Sequence, residues 1–169
     1  MAGSATSELA LRVATERDVA LILAFIRELA DYEKLLQEVV TTEQGLREHL
    51  FGERPAAEVV IAEWAGEPAG FALYFRTFST FVGRPGLYLE DLYVRPALRG
   101  KGVGKRLLAY LAHTAKRLGY GRVEWAVLNW NQPAIEFYRS VGARAQDDWI
   151  VNRLTGDALD ALAAHYERA

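Results

Sequence analysis

Cysteine is absent from the 169 residues. That excludes a disulfide framework, a thiolate nucleophile and Cys-based zinc sites, and it suits a reducing, cytoplasmic setting. Histidine is scarce: His49, His113 and His165 stand apart, no HExxH or comparable cluster occurs, and no metal is expected. A G-x-S-x-G elbow is also missing, so a covalent acyl-enzyme is not expected. No apolar run approaches the ~20 residues needed to cross a bilayer. Met1–Ser7 has neither the basic nor the apolar region of a signal peptide and reads as a frayed tail. The length suits one well-filled core, so 8–169 is expected to form a single domain.

Acidic residues are absent from one long stretch. Residues 92–123 hold eight Lys/Arg and no Asp/Glu, so a chain of net charge −2 carries −10 in its remainder. A modest overall charge argues against a general nucleic-acid binder, while the asymmetry fits one segment to an anion and leaves the rest suited to a cation. Lys116, Arg117 and Arg122 read equally well as a solvated helix face. Arg99 and Lys101, set among glycines, do not.

Hydrophobic periodicity orders the elements. Leu9–Val13 alternates as a strand, and a helix after Thr15 ends near Tyr32–Lys34. A second helix covers Thr42–Leu50. Val59–Trp64 and Gly70–Phe78 read as strands around an Ala65–Pro68 turn, and "LYLEDLYV" (87–94) as another. Val103, Leu107, Leu108, Leu111, Ala115 and Leu118 stripe a helix closed by Gly119. "RVEWAVL" (122–128) is a strand, "NQPAIEFYRSVG" a helix with Pro133 in its first turn, Trp149–Leu154 a last strand and Asp157–Arg168 a terminal helix. The order is mixed α/β, centred on strand, glycine loop, helix, strand and helix.

That loop, "RPALRGKGVGKRLL" (95–108), fits neither common phosphate motif. A P-loop needs Ser or Thr after its lysine, but Arg106 follows Lys105; a dinucleotide fingerprint needs G-x-G-x-x-G, but Gly100, Gly102 and Gly104 run G-x-G-x-G. What remains is R-x-x-G-x-G, here Arg99, Gly102 and Gly104, after a strand and opening a helix. Glycines let the main chain approach an anion, its N–H groups converge, and the helix start adds partial positive charge. A pyrophosphate fits such a cradle.

With "IRELADYEKL", "GRPGLYLEDLYVRPALRGKGVGKRLL" and "AVLNWNQPAIEFYRSVGA" at matching spacing, the chain resembles the GNAT superfamily of acyl-CoA-dependent N-acetyltransferases from Leu11 to Leu154. It is most similar to the diamine (spermidine/spermine) and thialysine branch. The resemblance implies an α/β (α+β) fold with a mixed, mostly antiparallel central sheet flanked by helices and two strands splayed to admit the coenzyme. It implies acetyl-CoA as cosubstrate, with pyrophosphate on Arg99, Gly100, Lys101, Gly102, Val103, Gly104 and Lys105 and pantetheine along Leu92, Tyr93 and Val94. Asn131 and Ala134 are implied as further coenzyme contacts, Tyr138 as general acid to the leaving thiolate, and a homodimer as the assembly.

A lysine-type amine has pKa ~10.4 and must lose a proton before it attacks a thioester. Glu90 and Asp91, on the strand before the loop, are placed to hold and deprotonate it. Alternation sends them to opposite faces unless a bulge intervenes, so they are not expected to do the same job; Glu90 is expected as the base, through water, and Asp91 as an orienting or structural acid. Tyr32, Glu33, Ser79 and either Asp147 or Asp148 match substrate-lining positions of the branch. Where spermidine/spermine relatives carry an acid followed closely by Trp, this chain has Ser79 and Phe81, as in the thialysine branch. The expected function is therefore direct acetyl transfer to a primary amine of a small molecule. The alternatives are a non-catalytic acyl-CoA-binding module on the same fold and, more weakly, a nucleic-acid binder; the latter needs aromatics interleaved with the cations, and only Tyr110 and Tyr120 qualify.

Overall fold

In the computed structural model, which describes residues 8–167, the expected order of elements is largely present. The tail expected over Met1–Ser7 lies outside the described residues, as does Arg168. The elements are β1 (Leu9–Val13), α1 (Val19–Tyr32), α2 (Glu43–Phe51), β2 (Glu58–Trp64), β3 (Glu67–Ser79), β4 (Arg84–Val94), α3 (Val103–Arg117), β5 (Val123–Trp125), α4 (Gln132–Ser140) and α5 (Gly156–Glu167). By contact they group into two units, one through Leu128 and one from Asn129.

In the first unit the sheet runs β1-β2-β3-β4-β5 in space. The first four strands pair antiparallel and β5 joins β4 in parallel. Period-two alternation gives the sheet two apolar faces. Val59, Ile61, Phe71, Leu73 and Tyr93 meet Val19, Ile22, Leu23 and Phe25 of α1 and Leu46 and Leu50 of α2 in one core, where Phe25 stacks on Phe71 with centroids 5.3 Å apart. The opposite face buries Tyr74 against Tyr110 of α3. Among the described residues no helix is long and apolar enough to cross a membrane.

Two irregularities in this sheet matter for function. Leu73 pairs with Asp91 but Tyr74 with Leu89, so Glu90 is an extra residue bulged out of β4. Pairing of β4 with β5 then ends at Leu89–Trp125, although β4 continues to Val94. The expected strand over 122–128 thus shrinks to the three residues that pair with β4. Near the far end of β4 the chains come very close: a Cβ on Gly70 would collide with the Tyr93 carbonyl, so only glycine permits that approach.

In the second unit, α4 is N-capped by Asn131, whose Oδ1 accepts the Ala134 N–H at 3.4 Å. The strand expected over Trp149–Leu154 does not form. Among the described residues it has no ladder partner; it makes only local bonds, from Trp149 N to Gln146 O and from Asn152 Nδ2 to Ile150 O. Trp149, Ile150 and Val151 are 74%, 83% and 82% exposed. Strand-favouring residues need a neighbouring edge before they become a strand.

One ion-pair network ties the first strand to the rest. Arg12 grips Asp18 with two bonds of 2.8 Å and Glu63 with one of 2.7 Å, while Asp18 also accepts the Thr15 N–H at 2.7 Å. The Arg12 guanidinium, more than the opposing cost of burial, lowers the Asp18 pKa to about 2. A lowered folded-state pKa contributes stability above the unfolded value near 4 that is lost as pH falls through 2, here about 2 kcal/mol. Asp18→Asn is therefore expected to cost about 2 kcal/mol in urea unfolding at pH 7, with the gap to wild type narrowing steadily between pH 5 and pH 2. A gap independent of pH contradicts the network's role.

Candidate active site

The loop between β4 and α3 is built as the sequence leads one to expect. Pro96–Leu98 forms a single 3₁₀ turn, and Gly100 and Gly102 take left-handed φ values of 75° and 82°. A Cβ at either glycine would meet nothing within 4 Å, so conformation and not crowding selects glycine, and the main chain stays bare. Gly102 caps α3. The first helical bond runs from Arg106 N to Gly102 O at 2.9 Å, which leaves the amides of Val103, Gly104 and Lys105 ahead of the ladder. With Lys101 and Lys105 beside them, these donors make an anion cradle. Arg95, one turn earlier, is committed elsewhere. It pairs with Glu28 of α1 at 3.0 Å, donates to Pro68 O at 3.0 Å and lies 5.0 Å over Phe25, pinning the end of β4 to α1.

The bulge decides where the carboxylates go. One extra residue reverses strand alternation, so Leu89 joins Tyr74 on the α3 side while Asp91 joins Leu73 on the α1 side. Glu90, left between them, is exposed. Asp91 is partly buried, and its pKa is raised to about 6, first by burial and then by the charges of Glu90 and Glu33. Glu33, the C-cap of α1, is itself raised by burial. The structure thus brings together three acids that are remote in sequence at 33 but adjacent at 90 and 91. The end of α1 is held firmly: Leu35 N bonds Ala30 O at 2.8 Å, and Lys34 takes φ 62°, a cost a non-glycine residue bears only where packing enforces it.

The other expected residues separate into two groups. Leu92, Tyr93 and Val94 lie on β4 beyond its last pair with β5, so on that side this edge has no ladder partner in β5. Tyr32 ends α1 beside Glu33. Ser79 ends β3, where its hydroxyl accepts the Val82 N–H at 3.2 Å and its ladder partner is Arg84; it closes the β3–β4 turn. Asn131, Ala134, Tyr138 and Asp147 belong to the second unit. There Tyr138 is half-buried on α4 with its ring 5.3 Å from Phe137, and Asp147 is exposed in the connection to α5. Among the described residues no group of three or more His, Cys, Asp or Glu could hold a metal.

Sequence reasoning missed the aromatic partners of the loop cations. Arg99 lies 4.5 Å over the Tyr32 ring and 5.8 Å from that of Tyr93, and its Nε donates to Val94 O at 3.0 Å. Lys101 Nζ sits 5.0 Å from the Trp64 ring. The available signal was the aromatic at the end of each neighbouring element, Tyr32 on α1 and Trp64 on β2.

Comparison with known proteins agrees with this geometry. The Acetyltransferase (GNAT) family model matches residues 24–143. A thialysine N-ε-acetyltransferase of Sus scrofa is 40% identical over 164 residues, covering 90% of this chain and 96% of that protein. An L-ornithine N5-acetyltransferase of Arabidopsis thaliana is 34% identical, covering 90% and 86%. Among solved structures, an integron cassette protein from the mobile metagenome of V. cholerae superposes with a TM-score of 0.77 at 28% identity, over 92% of this chain and 98% of that one. A glycine cradle at the start of α3, a sheet that parts beside it and a family match across both features lead to one conclusion: this chain belongs to the GNAT acetyltransferase family and is an N-acetyltransferase.

Proposed function

We propose that the enzyme moves acetyl from acetyl-CoA directly to a primary amine of a small molecule, in a ternary complex and without an acyl-enzyme. The observation that carries this reading is the arrangement on β4. Its carboxylates stand where pairing with β5 stops, and the same strand leads into the anion cradle within a few residues. The bare main chain at Gly100 and Gly102 and the leading amides of α3 suit a pyrophosphate, and the Leu92–Val94 edge suits an extended pantetheine arm. Asn131 and Ala134 would add contacts from α4. Bound there, acetyl-CoA supplies the activated acetyl thioester.

The chain's own residues handle charge and protons. Glu33, Glu90 and Asp91 hold the ammonium, with Tyr32 beside them and Asp147 as a further acid. Glu90, the exposed member of the Glu90–Asp91 pair, takes its proton through water, and Asp91, raised to about 6, orients it and can share that proton. Against an ammonium near 10.4, a carboxyl at 6 instead of 4 narrows the mismatch by about two units, roughly 3 kcal/mol. Tyr138 donates a proton to the departing thiolate. The family match spans residues 24–143, which supports reading 8–169 as one domain. The exposed Trp149–Val151 segment supports a homodimer, in which such apolar surface is covered. The lack of cysteine is compatible with a cytoplasmic setting.

A thiol-release assay with acetyl-CoA and a panel of amines tests the reading. Release is expected with at least one primary amine, and Tyr138→Phe should lower kcat by ~10²-fold with an unchanged melting temperature. No release with any amine points to an acyl-CoA-binding module without catalysis; wild-type turnover in the variant places the acid elsewhere.

The named relatives act on thialysine and L-ornithine, short diamino acids. At the β3–β4 turn, Ser79 is used in capping and faces Arg84, so a distant ammonium of a long polyamine meets no carboxylate at that position. A charge-assisted hydrogen bond contributes ~1.5–3 kcal/mol, roughly tenfold to a hundredfold. Thialysine is accordingly expected to exceed spermine in kcat/KM by about tenfold or more, and a preference for spermine overturns the assignment.

A further inference from the structure

The side chains of the loop cations are held against the scaffold by aromatic rings. Arg99 rests on Tyr32 at 4.5 Å and near Tyr93 at 5.8 Å, and its Nε is fixed on the Val94 carbonyl. Lys101 rests on Trp64 at 5.0 Å. The two contacts differ in what their rings belong to. Trp64 ends β2 at the β2–β3 turn, on an element that carries none of the three acids Glu33, Glu90 and Asp91. Tyr32 is the last residue of α1, and Glu33 follows it directly.

A guanidinium stacks through its face and hydrogen-bonds around its edge. Arg99 can thus lie on Tyr32 while its outer N–H groups meet a phosphate. The backbone on the Tyr32 side of this contact is constrained, since Lys34, a non-glycine residue, holds a left-handed conformation just after Glu33, and on the other side the Arg99 side chain is tied to the Val94 carbonyl. The contact thus gives Arg99 a direct path to the α1 terminus, where Glu33 follows Tyr32.

We propose that Arg99 is a positioning residue whose stacking on Tyr32 joins the phosphate loop to the acid cluster, so that coenzyme and amine strengthen each other's binding. This rests on the acetyl-CoA and amine assignment above. Coupling of this kind is reciprocal: coenzyme A binds more tightly when amine is present, by the same factor as amine does when coenzyme A is present. The strength of a partly shielded cation–aromatic contact sets the expected factor at about threefold to thirtyfold.

Coenzyme A and thialysine form a complex without turnover, because no acetyl group is present, and isothermal titration calorimetry measures both affinities. In wild type, saturating thialysine is expected to tighten coenzyme A binding by about threefold or more. Tyr32→Leu should abolish that gain, while Tyr32→Phe, which keeps the ring, should retain it. Arg99→Lys keeps the charge but not the planar stack and should reduce it; adding Tyr32→Leu to that variant should remove no more than Tyr32→Leu alone. Trp64→Leu should weaken coenzyme A equally with and without thialysine. Coupling that survives Tyr32→Leu, or its absence in wild type that still binds coenzyme A, overturns the role of Arg99. Failure of wild type to bind coenzyme A overturns the functional assignment itself.

Discussion

Side chains along a strand alternate between faces, and a single extra residue reverses every face that follows. Glu90 is that residue in β4. Without it, Asp91 would share the α3 side with Leu89; with it, Asp91 turns toward α1 and Glu33 and acquires its raised proton affinity. The ladder to β5 ends at the residue before the bulge, so the place where the sheet parts is also the place where its carboxylates gather. Local backbone irregularity, and not any one side chain, sets the geometry of the proposed acetyl transfer.

The remaining devices fix the ends of the strand around that irregularity. Glycine at position 70 lets β3 close upon Tyr93 and Val94, and Arg95 clamps the strand's exit to Glu28 and Phe25 of α1. The same helix therefore receives the acid cluster at its end and the strand's anchor one turn earlier. The apolar core of α1 against Phe71 and Leu73 supplies the rigid base on which both sit. Negative charge collects on one side of this strand and positive charge in the loop after it, which matches a cationic acceptor to an anionic donor.

Much of this was legible in the sequence. The R-x-x-G-x-G pattern, the apolar stripe of α3 and the Gly119 stop are local signals, and the loop takes the left-handed glycines that such a cradle requires. The adjacent acids at 90 and 91 mark a break in alternation, but where a bulge falls depends on the register of β3, which no local pattern encodes. The length of β5 likewise depends on how far it pairs with β4, a tertiary feature. Trp149–Leu154 carried strand propensity without an edge to pair with, so propensity alone misled. The stacking of Arg99 on Tyr32 joins residues 67 positions apart, beyond the reach of periodicity.

The ionisation of Asp91 is the most direct test of how the bulge shapes the site. Carbon-detected NMR titration of its carboxyl group, assigned by comparison with Asp91→Asn, should show a midpoint of about 6. A midpoint near 4, the ordinary carboxylate range, would mean that Asp91 is solvated and not turned toward Glu33, and would contradict the arrangement on which the proposed proton transfer depends.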